Sequence, residues 1–258
     1  MTGCCKQPVY ATVLGVRFLN MKPPEAVATV LAGGLLVVPS GPGLATLDRD
    51  QSYRDALLGA DYAIVDSGYL ALLSRLFGLG KLERISGLEF IDAFLNQETR
   101  RGASSSFWLM PREEECAATL RHLSNRGISV PIDNIFVAPM YPSDGPVEDP
   151  ELLAKLDALQ PQFVILNIAG GKQEKLGRYL QKNLSYKPAI ICTGAAIAFL
   201  TGHQAKIPMW ADRLYLGWLW RCIDKPSVYI PRYWSAIRLA YLVFRYKEKL
   251  PPVKVEKA

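Results

Sequence analysis

The chain has 258 residues, half of them apolar, and a formal net charge of +6. This length suits one well-packed domain with an appendage. The five cysteines form no Cys-x-x-Cys pair and the two histidines stand far apart, which argues against structural zinc and favours a reducing cytoplasm. We find neither a signal-peptide pattern nor an uncharged run of about 18 residues, so we predict no membrane span.

Short apolar runs alternate with helical patterns between residues 35 and 200. Because these runs are apolar throughout, we expect strands buried on both faces, as in a parallel sheet covered by helices. The predicted fold class is therefore α/β: a Rossmann-like parallel sheet flanked by helices, with a C-terminal helical appendage. Ligands bind such sheets at the carboxyl ends of the strands. The predicted strands are Leu35–Val38, Tyr62–Asp66, Phe107–Met110, Ile135–Ala138, Phe163–Asn167 and Ala189–Thr193.

The predicted helices carry recognisable start signals. Ser86 and Glu89 form a capping-box pattern ahead of an apolar helix. Three glutamates, residues 113–115, follow Pro111 and suit the first turn of a helix, where the helix dipole favours anions. Asp149 precedes Pro150, a combination of N-cap and first-turn proline that predicts a helix through Leu159.

The positive charge is concentrated at the C-terminal end. From His203 onward there are eleven Lys or Arg against four Asp or Glu, whereas the first 202 residues sum to −1. Tryptophans and tyrosines are interleaved with these cations, a composition that suits an anionic membrane surface or a diphosphate. Nucleic acid is a poorer partner, because the apolar run at residues 237–244 has no use on a phosphate backbone. We predict a core of residues 1–202 and a membrane-associating helical appendage of residues 203–258.

Within the appendage, the pattern predicts one helix over Pro231–Leu250. Arg238, Arg245 and Lys249 fall on one face. Another face carries Ile237, Ala240 and Phe244. This arrangement is typical of a helix that lies in a membrane interface with its arginines directed to headgroups. The alternative is a helix packed against the core or against a neighbouring subunit.

Two glycine turns follow predicted strands. Ala169-Gly-Gly-Lys-Gln-Glu174 leads from a strand into a helix, so its backbone amides could approach an anion at the positive helix end. Thr193 and Gly194 follow the last predicted strand. The spacing matches neither a P-loop nor the dinucleotide fingerprint, and a tight turn with solvated side chains explains the first turn equally well.

Two acidic motifs are candidates for chemistry. Asp66 ends a predicted strand, where a lone carboxylate can take a proton from an incoming hydroxyl; alternatively, it caps the helix that begins near Tyr69. Asp48-Arg49-Asp50 matches the Asp-x-Asp pattern of metal-using sugar transferases, but it leads into a helical run. Helix capping explains it better, so we predict that the protein binds no metal and needs no cofactor.

In its order of motifs, the chain resembles the WecG/TagA/CpsF glycosyltransferases, glycosyltransferase family 26. The similarity extends from about Gly15 to Tyr246. Its motifs are Ala60-Asp-Tyr-Ala-Ile-Val-Asp66, Ser74-Arg-Leu-Phe-Gly78, Glu83-Arg-Ile-Ser-Gly87, Lys172-Gln-Glu174, Phe199-Leu-Thr-Gly202, Pro208-Met-Trp210 and Trp218-Leu-Trp-Arg221.

The resemblance implies an inverting transfer of a sugar from a UDP-sugar to a saccharide linked to polyprenyl diphosphate, without an obligatory metal. It implies action at the cytoplasmic face of the plasma membrane, in the biosynthesis of a cell-surface polysaccharide, and is compatible with a homo-oligomer. By position, it makes Asp66 the catalytic base. The expected donor-binding residues are Gly170, Gly171, Lys172, Gln173, Glu174, Thr193 and Gly194. The expected diphosphate- and acceptor-binding residues are Ser40, Arg84, Arg213, Arg221 and Arg232.

The chain departs from the family pattern at several of these places. The family's Thr-Pro-Asn is Val38-Pro39-Ser40 here, its Asp-Gly is Asp66-Ser67, and its Gly-Ala-Pro is Ala169-Gly-Gly171. These changes favour an alternative function, a catalytically degenerate relative that acts as a membrane-associated binding or scaffolding protein. A third interpretation, a nicotinamide-dependent dehydrogenase, lacks the glycine fingerprint near the N-terminus.

Overall fold

The centre of the molecule is a parallel β-sheet of six strands. The computed structural model describes residues 8–101, 105–202 and 237–253. Along the sheet, the strands follow the order β4-β3-β8-β7-β5-β6, and every neighbouring pair is parallel. The strands are β3 (Gly34–Val37), β4 (Tyr62–Ala63), β5 (Ser106–Met110), β6 (Ile135–Val137), β7 (Phe163–Leu166) and β8 (Ala189–Cys192).

All six predicted strands are confirmed. The predicted burial on both faces holds for the inner strands β5, β7 and β8, whereas the edge strand β6 is partly exposed. In β7, Val164 and Leu166 belong to one apolar cluster, whereas Phe163 and Ile165 belong to a second cluster on the opposite face. A strand that is apolar at every position therefore supplies two cores at once.

Helices cover both faces of the sheet. One face is covered by α2 (Gly41–Leu44), α3 (Gln51–Leu58), α4 (Gly68–Leu76), α7 (Pro150–Leu159) and α8 (Lys172–Asn183). The other face is covered by α1 (Pro23–Val30), α5 (Gly87–Arg101), α6 (Glu113–Asn125) and α9 (Ala196–Leu200). The predicted α/β class is thus confirmed as a three-layer arrangement.

The predicted helix caps are also present. The Asp149 carboxylate accepts a hydrogen bond from the backbone N–H of Leu152 at 2.8 Å, which starts α7. Ser86 and Glu89 form the expected capping box, because each side chain accepts from the backbone N–H of the other residue, at 2.8 and 3.1 Å. These local signals fix the residues at which α5 and α7 begin.

A short antiparallel hairpin at the N-terminal end was not predicted. It consists of β1 (Tyr10–Val13) and β2 (Val16–Leu19), joined by Leu14 and Gly15 with φ of 53° and 78°. Both turn residues occupy the left-handed region that a two-residue hairpin turn requires. Leucine rarely adopts that conformation, so the sequence gives only a weak turn signal here.

Residues 237–246 form a C-terminal helix that packs on the core. Leu239, Leu242 and Val243 are buried in the same cluster as α3 and α8. The end of this segment pairs with the hairpin, since the backbone N–H groups of Leu14 and Gly15 donate to the carbonyls of Lys247 and Glu248. In the described part of the chain, no helix is long and apolar enough to cross a membrane. The domain boundary at residue 202 stays a prediction.

Candidate functional site

Four neighbouring strands bring the predicted site residues to one edge of the sheet. In sheet order, β4 leads to Asp66, β3 leads to Ser40, β8 leads to Thr193 and Gly194, and β7 leads to Gly170. All four strands are parallel, so these loops emerge at their common carboxyl edge. This is where an α/β sheet offers a ligand crevice.

The Asp66 carboxylate is partly exposed, and one of its two oxygens is hydrogen-bonded. One of its oxygens accepts a hydrogen bond from the backbone N–H of Gly87 at 3.1 Å, and its second oxygen makes no hydrogen bond within the described residues. The side chain of Arg84 donates to the main-chain carbonyl of Asp66 at 2.9 Å. The helix after Asp66 is capped by Ser67, whose hydroxyl accepts from Leu70 N–H at 3.2 Å. The alternative that Asp66 is the N-cap is therefore wrong.

Ser40 lies beside Asp66 at the end of β3, where its hydroxyl caps the short helix α2 by accepting from Gly43 N–H at 3.2 Å. A Cβ placed on the neighbouring Gly41 would lie 3.1 Å from the Ser67 hydroxyl and 3.6 Å from Leu239. The first turn described in the C-terminal helix therefore reaches this corner of the sheet edge. No motif in the sequence indicates that contact.

The first predicted donor turn, residues 169–174, leaves open space beside its two glycines and is held by hydrogen bonds to the rest of the protein. A Cβ on Gly170 or Gly171 would meet no atom within 4 Å, and Gly171 has φ of 89°. The Gly171 N–H donates to the Glu174 carboxylate at 2.6 Å. The Lys172 ammonium donates to the carbonyl of Tyr141, so this cation ties the turn to the loop after β6.

The second predicted donor turn is joined to the first through Gln173. The backbone N–H of Gly194 donates to the Gln173 side-chain oxygen at 2.7 Å, while the Gln173 side-chain nitrogen donates to Glu174 at 3.2 Å. Gln173 and Glu174 are 3 % and 1 % exposed, respectively. The buried hydroxyl of Thr193 has no hydrogen-bond partner within the described residues, so it remains available to a ligand.

Burial sets the pKa values of the titratable groups around the predicted donor turns. Burial raises the pKa of the Glu174 carboxyl to about 7, although hydrogen bonds from its own backbone N–H, Gly171 and Gln173 and the charge of Lys175 act in the opposite direction. Burial likewise raises the pKa of Tyr53 and of Cys192, and the nearby Glu174 charge adds to both shifts. A buried carboxyl with so high a pKa exchanges its proton in the physiological range.

Both carboxylates of Asp48-Arg49-Asp50 are engaged with cations. Asp50 accepts from Tyr53 N–H at 2.9 Å as the cap of α3 and pairs with the Lys175 ammonium at 2.8 Å. Asp48 is buried and receives the Arg238 guanidinium at 2.6 Å on each oxygen. Capping therefore explains Asp50 but not Asp48, and Arg238 does not point to headgroups as we predicted.

The remaining predicted arginines fall into two groups. Arg84 lies at the sheet edge beside Asp66. Arg213, Arg221 and Arg232 lie outside the described residues. Among the residues that the structure describes, no group of three or more His, Cys, Asp or Glu side chains could hold a metal ion.

Comparison with known proteins identifies the class to which this fold and site belong. The model of the Glycosyl transferase WecG/TagA/CpsF family matches residues 11–252. The chain therefore belongs to this family of glycosyltransferases, as its motifs indicated.

Two bacterial relatives carry the same name, N-acetylglucosaminyldiphosphoundecaprenol N-acetyl-beta-D-mannosaminyltransferase. The relative from Bacillus subtilis (strain 168) is 25 % identical over 191 residues, which are 72 % of this chain and 71 % of the relative. The relative from Bacillus spizizenii (strain ATCC 23059 / NRRL B-14472 / W23) is 22 % identical over 213 residues, which are 79 % of each chain.

Proposed function

We propose that the protein transfers a sugar from a UDP-sugar to a saccharide linked to polyprenyl diphosphate, with inversion at the anomeric carbon, during the synthesis of a cell-surface polysaccharide. The names of both relatives point to an N-acetylglucosamine-diphosphoundecaprenol acceptor and an N-acetylhexosaminyl donor. The parallel sheet with four functional loops at one edge supports a two-substrate site.

The observation that carries this proposal is the state of the Asp66 carboxylate. Asp66 does not cap the helix that follows it, and Gly87 N–H holds one of its oxygens in place. The other oxygen accepts no hydrogen bond from the residues that the structure describes. In the proposed reaction, the acceptor hydroxyl attacks the anomeric carbon while Asp66 takes its proton. The bond between that carbon and the diphosphate oxygen breaks, and UDP leaves with the electron pair.

The leaving diphosphate gains negative charge, which nearby cations would stabilise. Arg84 lies at this edge beside Asp66, and we propose Arg213, Arg221 and Arg232 as further contributors. The donor would lie against the open face of Gly170 and Gly171. On the neighbouring turn, the Thr193 hydroxyl, which has no hydrogen-bond partner among the described residues, would face it.

An exposed apolar stripe supports docking to the cytoplasmic face of the plasma membrane. The stripe consists of five side chains that are each more than half exposed: Leu72, Leu76, Ile237, Tyr241 and Phe244. The rings of Phe77 and Phe244 meet edge to face at 5.4 Å, which joins α4 to the C-terminal helix. Arg75 and Arg245 are exposed beside the stripe. Apolar side chains bordered by cations suit the headgroup region of an anionic leaflet.

A second candidate function is a membrane-associated binding or scaffolding protein without catalytic activity. It is favoured by the acceptor corner, where the Ser40 hydroxyl is occupied as a helix cap and the preceding Val38 offers no hydroxyl. The two functions share the fold and the membrane surface, and they differ in whether a donor is bound and consumed.

A panel of UDP-sugars distinguishes the two candidates. A donor at about 100 times its dissociation constant is expected to raise the free energy of unfolding by roughly 2.7 kcal/mol. We expect the protein to release UDP from the stabilising UDP-sugar only when a polyprenyl-diphosphate-linked N-acetylglucosamine is added. Stabilisation without UDP release would favour the binding protein, and no stabilisation by any UDP-sugar would contradict the proposed donor.

A further inference from the structure

Two adjacent side chains connect the glycine turns that follow β7 and β8. The Gly171 N–H donates to one oxygen of Glu174, and the other oxygen of Glu174 receives the Gln173 amide. The Gln173 oxygen in turn receives Gly194 N–H at 2.7 Å. The two turns are thus bridged by one continuous chain of hydrogen bonds.

We propose that Gln173 and Glu174 are positioning residues: they hold the turns at Gly171 and Gly194 in a fixed relation, and they do not themselves contact the donor. This inference rests on the proposed donor site and assigns a different task to two residues for which the family resemblance implies direct donor contact.

Burial and occupancy support a positioning role. Both side chains are at most 3 % exposed. Both Glu174 oxygens and the Gln173 oxygen are already hydrogen-bonded within the protein. Because both side chains are almost completely buried, a donor could contact them only if the two turns that cover them moved apart and strained these hydrogen bonds. The first turn of α8, where an anionic ligand could have bound, already holds the Glu174 carboxylate.

The bridge is best satisfied when Glu174 is ionised, because an ionised carboxylate accepts at both oxygens whereas a protonated one must donate from one of them. The titratable groups around Glu174 come from several elements. They are Tyr53 of α3, Cys192 of β8, Lys175 of α8 and Asp50, the cap of α3 that pairs with Lys175. Lys175 favours ionised Glu174, and burial disfavours it.

The test uses the ligand-free protein, in which a residue that only contacts the donor has no effect. In amide NMR spectra, we expect Glu174→Gln to speed solvent exchange of the Gly171 amide about tenfold, the loss of one hydrogen bond. Gln173→Ala should do the same at Gly194. Glu151→Gln changes an exposed first-turn glutamate of α7 and should leave both amides unchanged.

A second measurement needs no variant. In the wild-type protein, the Gly171 amide shift should titrate with a midpoint near 7, the pKa to which burial raises Glu174. Ligand-free amides that are unchanged in both variants, combined with weaker UDP-sugar binding, would overturn the inference in favour of direct donor contact. Absence of UDP-sugar binding in the wild type would contradict the proposed function, while the amide measurements would still report on the bridge.

Discussion

The two sides of the sheet edge use carboxylates in opposite ways. On the proposed acceptor side, Asp66 is partly exposed beside Arg84, and one of its oxygens accepts no hydrogen bond within the described ranges. On the donor side, Glu174 is almost completely buried and both of its oxygens accept hydrogen bonds from the protein. The same chemical group can therefore serve as a base in one place and as a support in the other, and the difference is set by exposure and occupancy.

The two proposed sides also differ in what packs against them. The C-terminal helix reaches it through Leu239, and the apolar stripe defined above extends from α4 along that helix. The donor side is tied internally by the Gln173–Glu174 bridge and by Lys172 and Lys175. A lipid-linked acceptor needs an approach from the membrane, whereas a small nucleotide donor needs a rigid cradle.

The largest effect on turnover is expected from Asp66→Asn, because this substitution should abolish the proposed proton transfer and leave the donor turns unchanged. The amide keeps the size of the carboxylate but cannot take the acceptor proton, so turnover should fall roughly 10²–10⁴-fold. Circular dichroism and UDP-sugar affinity should remain those of the wild type. Turnover near the wild-type rate in the folded variant would remove Asp66 from the mechanism.

At the contact between the core and the C-terminal helix, Asp48→Asn should destabilise the fold. It removes one partner of a buried ion pair and leaves the Arg238 guanidinium, with 21 % side-chain exposure, without its counter-charge. We expect a loss of about 3 kcal/mol in the free energy of unfolding, measured by urea titration. Glu83→Gln, which breaks the exposed ion pair with Lys81, should cost about 0.5 kcal/mol or less. Equal costs for the two variants would show that Arg238 does not anchor the C-terminal helix.

On the donor side, Glu174 should make stability depend on pH. Its folded-state pKa is raised from 4.5 to about 7, so in this window the folded state binds the proton more tightly than the unfolded state. Stability is therefore lost as pH rises from about 4.5 to 7, by on the order of 3 kcal/mol for this group. Urea unfolding at several pH values should show this loss in the wild type and not in Glu174→Gln. Parallel pH profiles for both proteins would contradict the buried-carboxyl assignment.

The open face of the donor turn is tested by Gly170→Val. A Cβ there meets no protein atom within 4 Å and Gly170 has no positive φ, so the fold should tolerate the change. The added side chain should nevertheless block close approach of the nucleotide and weaken UDP-sugar binding about tenfold in calorimetry. Unchanged affinity would place the donor away from this turn.

The smallest effect concerns the apolar stripe. Ile237→Ser combined with Phe244→Ser should lower partition onto anionic liposomes roughly fivefold, since burying about half of a large apolar side chain contributes on the order of 0.5–1 kcal/mol. Ile132→Ser with Met140→Ser changes two exposed apolar residues outside the stripe and should have no effect. Equal binding by both double variants would exclude the stripe as the lipid contact.

Local features of the sequence predicted the fold well. Each buried strand coincides with a continuous apolar run in the sequence. The caps Asp149, Ser86 and Asp50 each accept a hydrogen bond from a backbone N–H three residues further along the chain. The hairpin was missed because its turn places Leu14 in the left-handed region. That conformation is imposed by the fold and is not favoured by the residue itself.

The arrangement of the candidate site could not be predicted from local patterns. The Asp48–Arg238 pair spans 190 positions, and Gln173 receives the amide of a residue 21 positions away. Such contacts depend on the strand order β4-β3-β8-β7, which is set by long crossover connections. The motif Lys172-Gln173-Glu174 marked the right place, but whether its side chains face a ligand or the interior depends on that packing.

The central claim, a single displacement assisted by one open carboxylate, is tested most directly by the stereochemistry of the product. The wild-type protein is incubated with an α-linked UDP-sugar and polyprenyl-diphosphate-linked N-acetylglucosamine, and the anomeric proton of the new linkage is observed by NMR. A lone base at Asp66 predicts inversion, hence a β-linked product. An α-linked product would contradict the account, because a single in-line displacement at the anomeric carbon cannot retain its configuration.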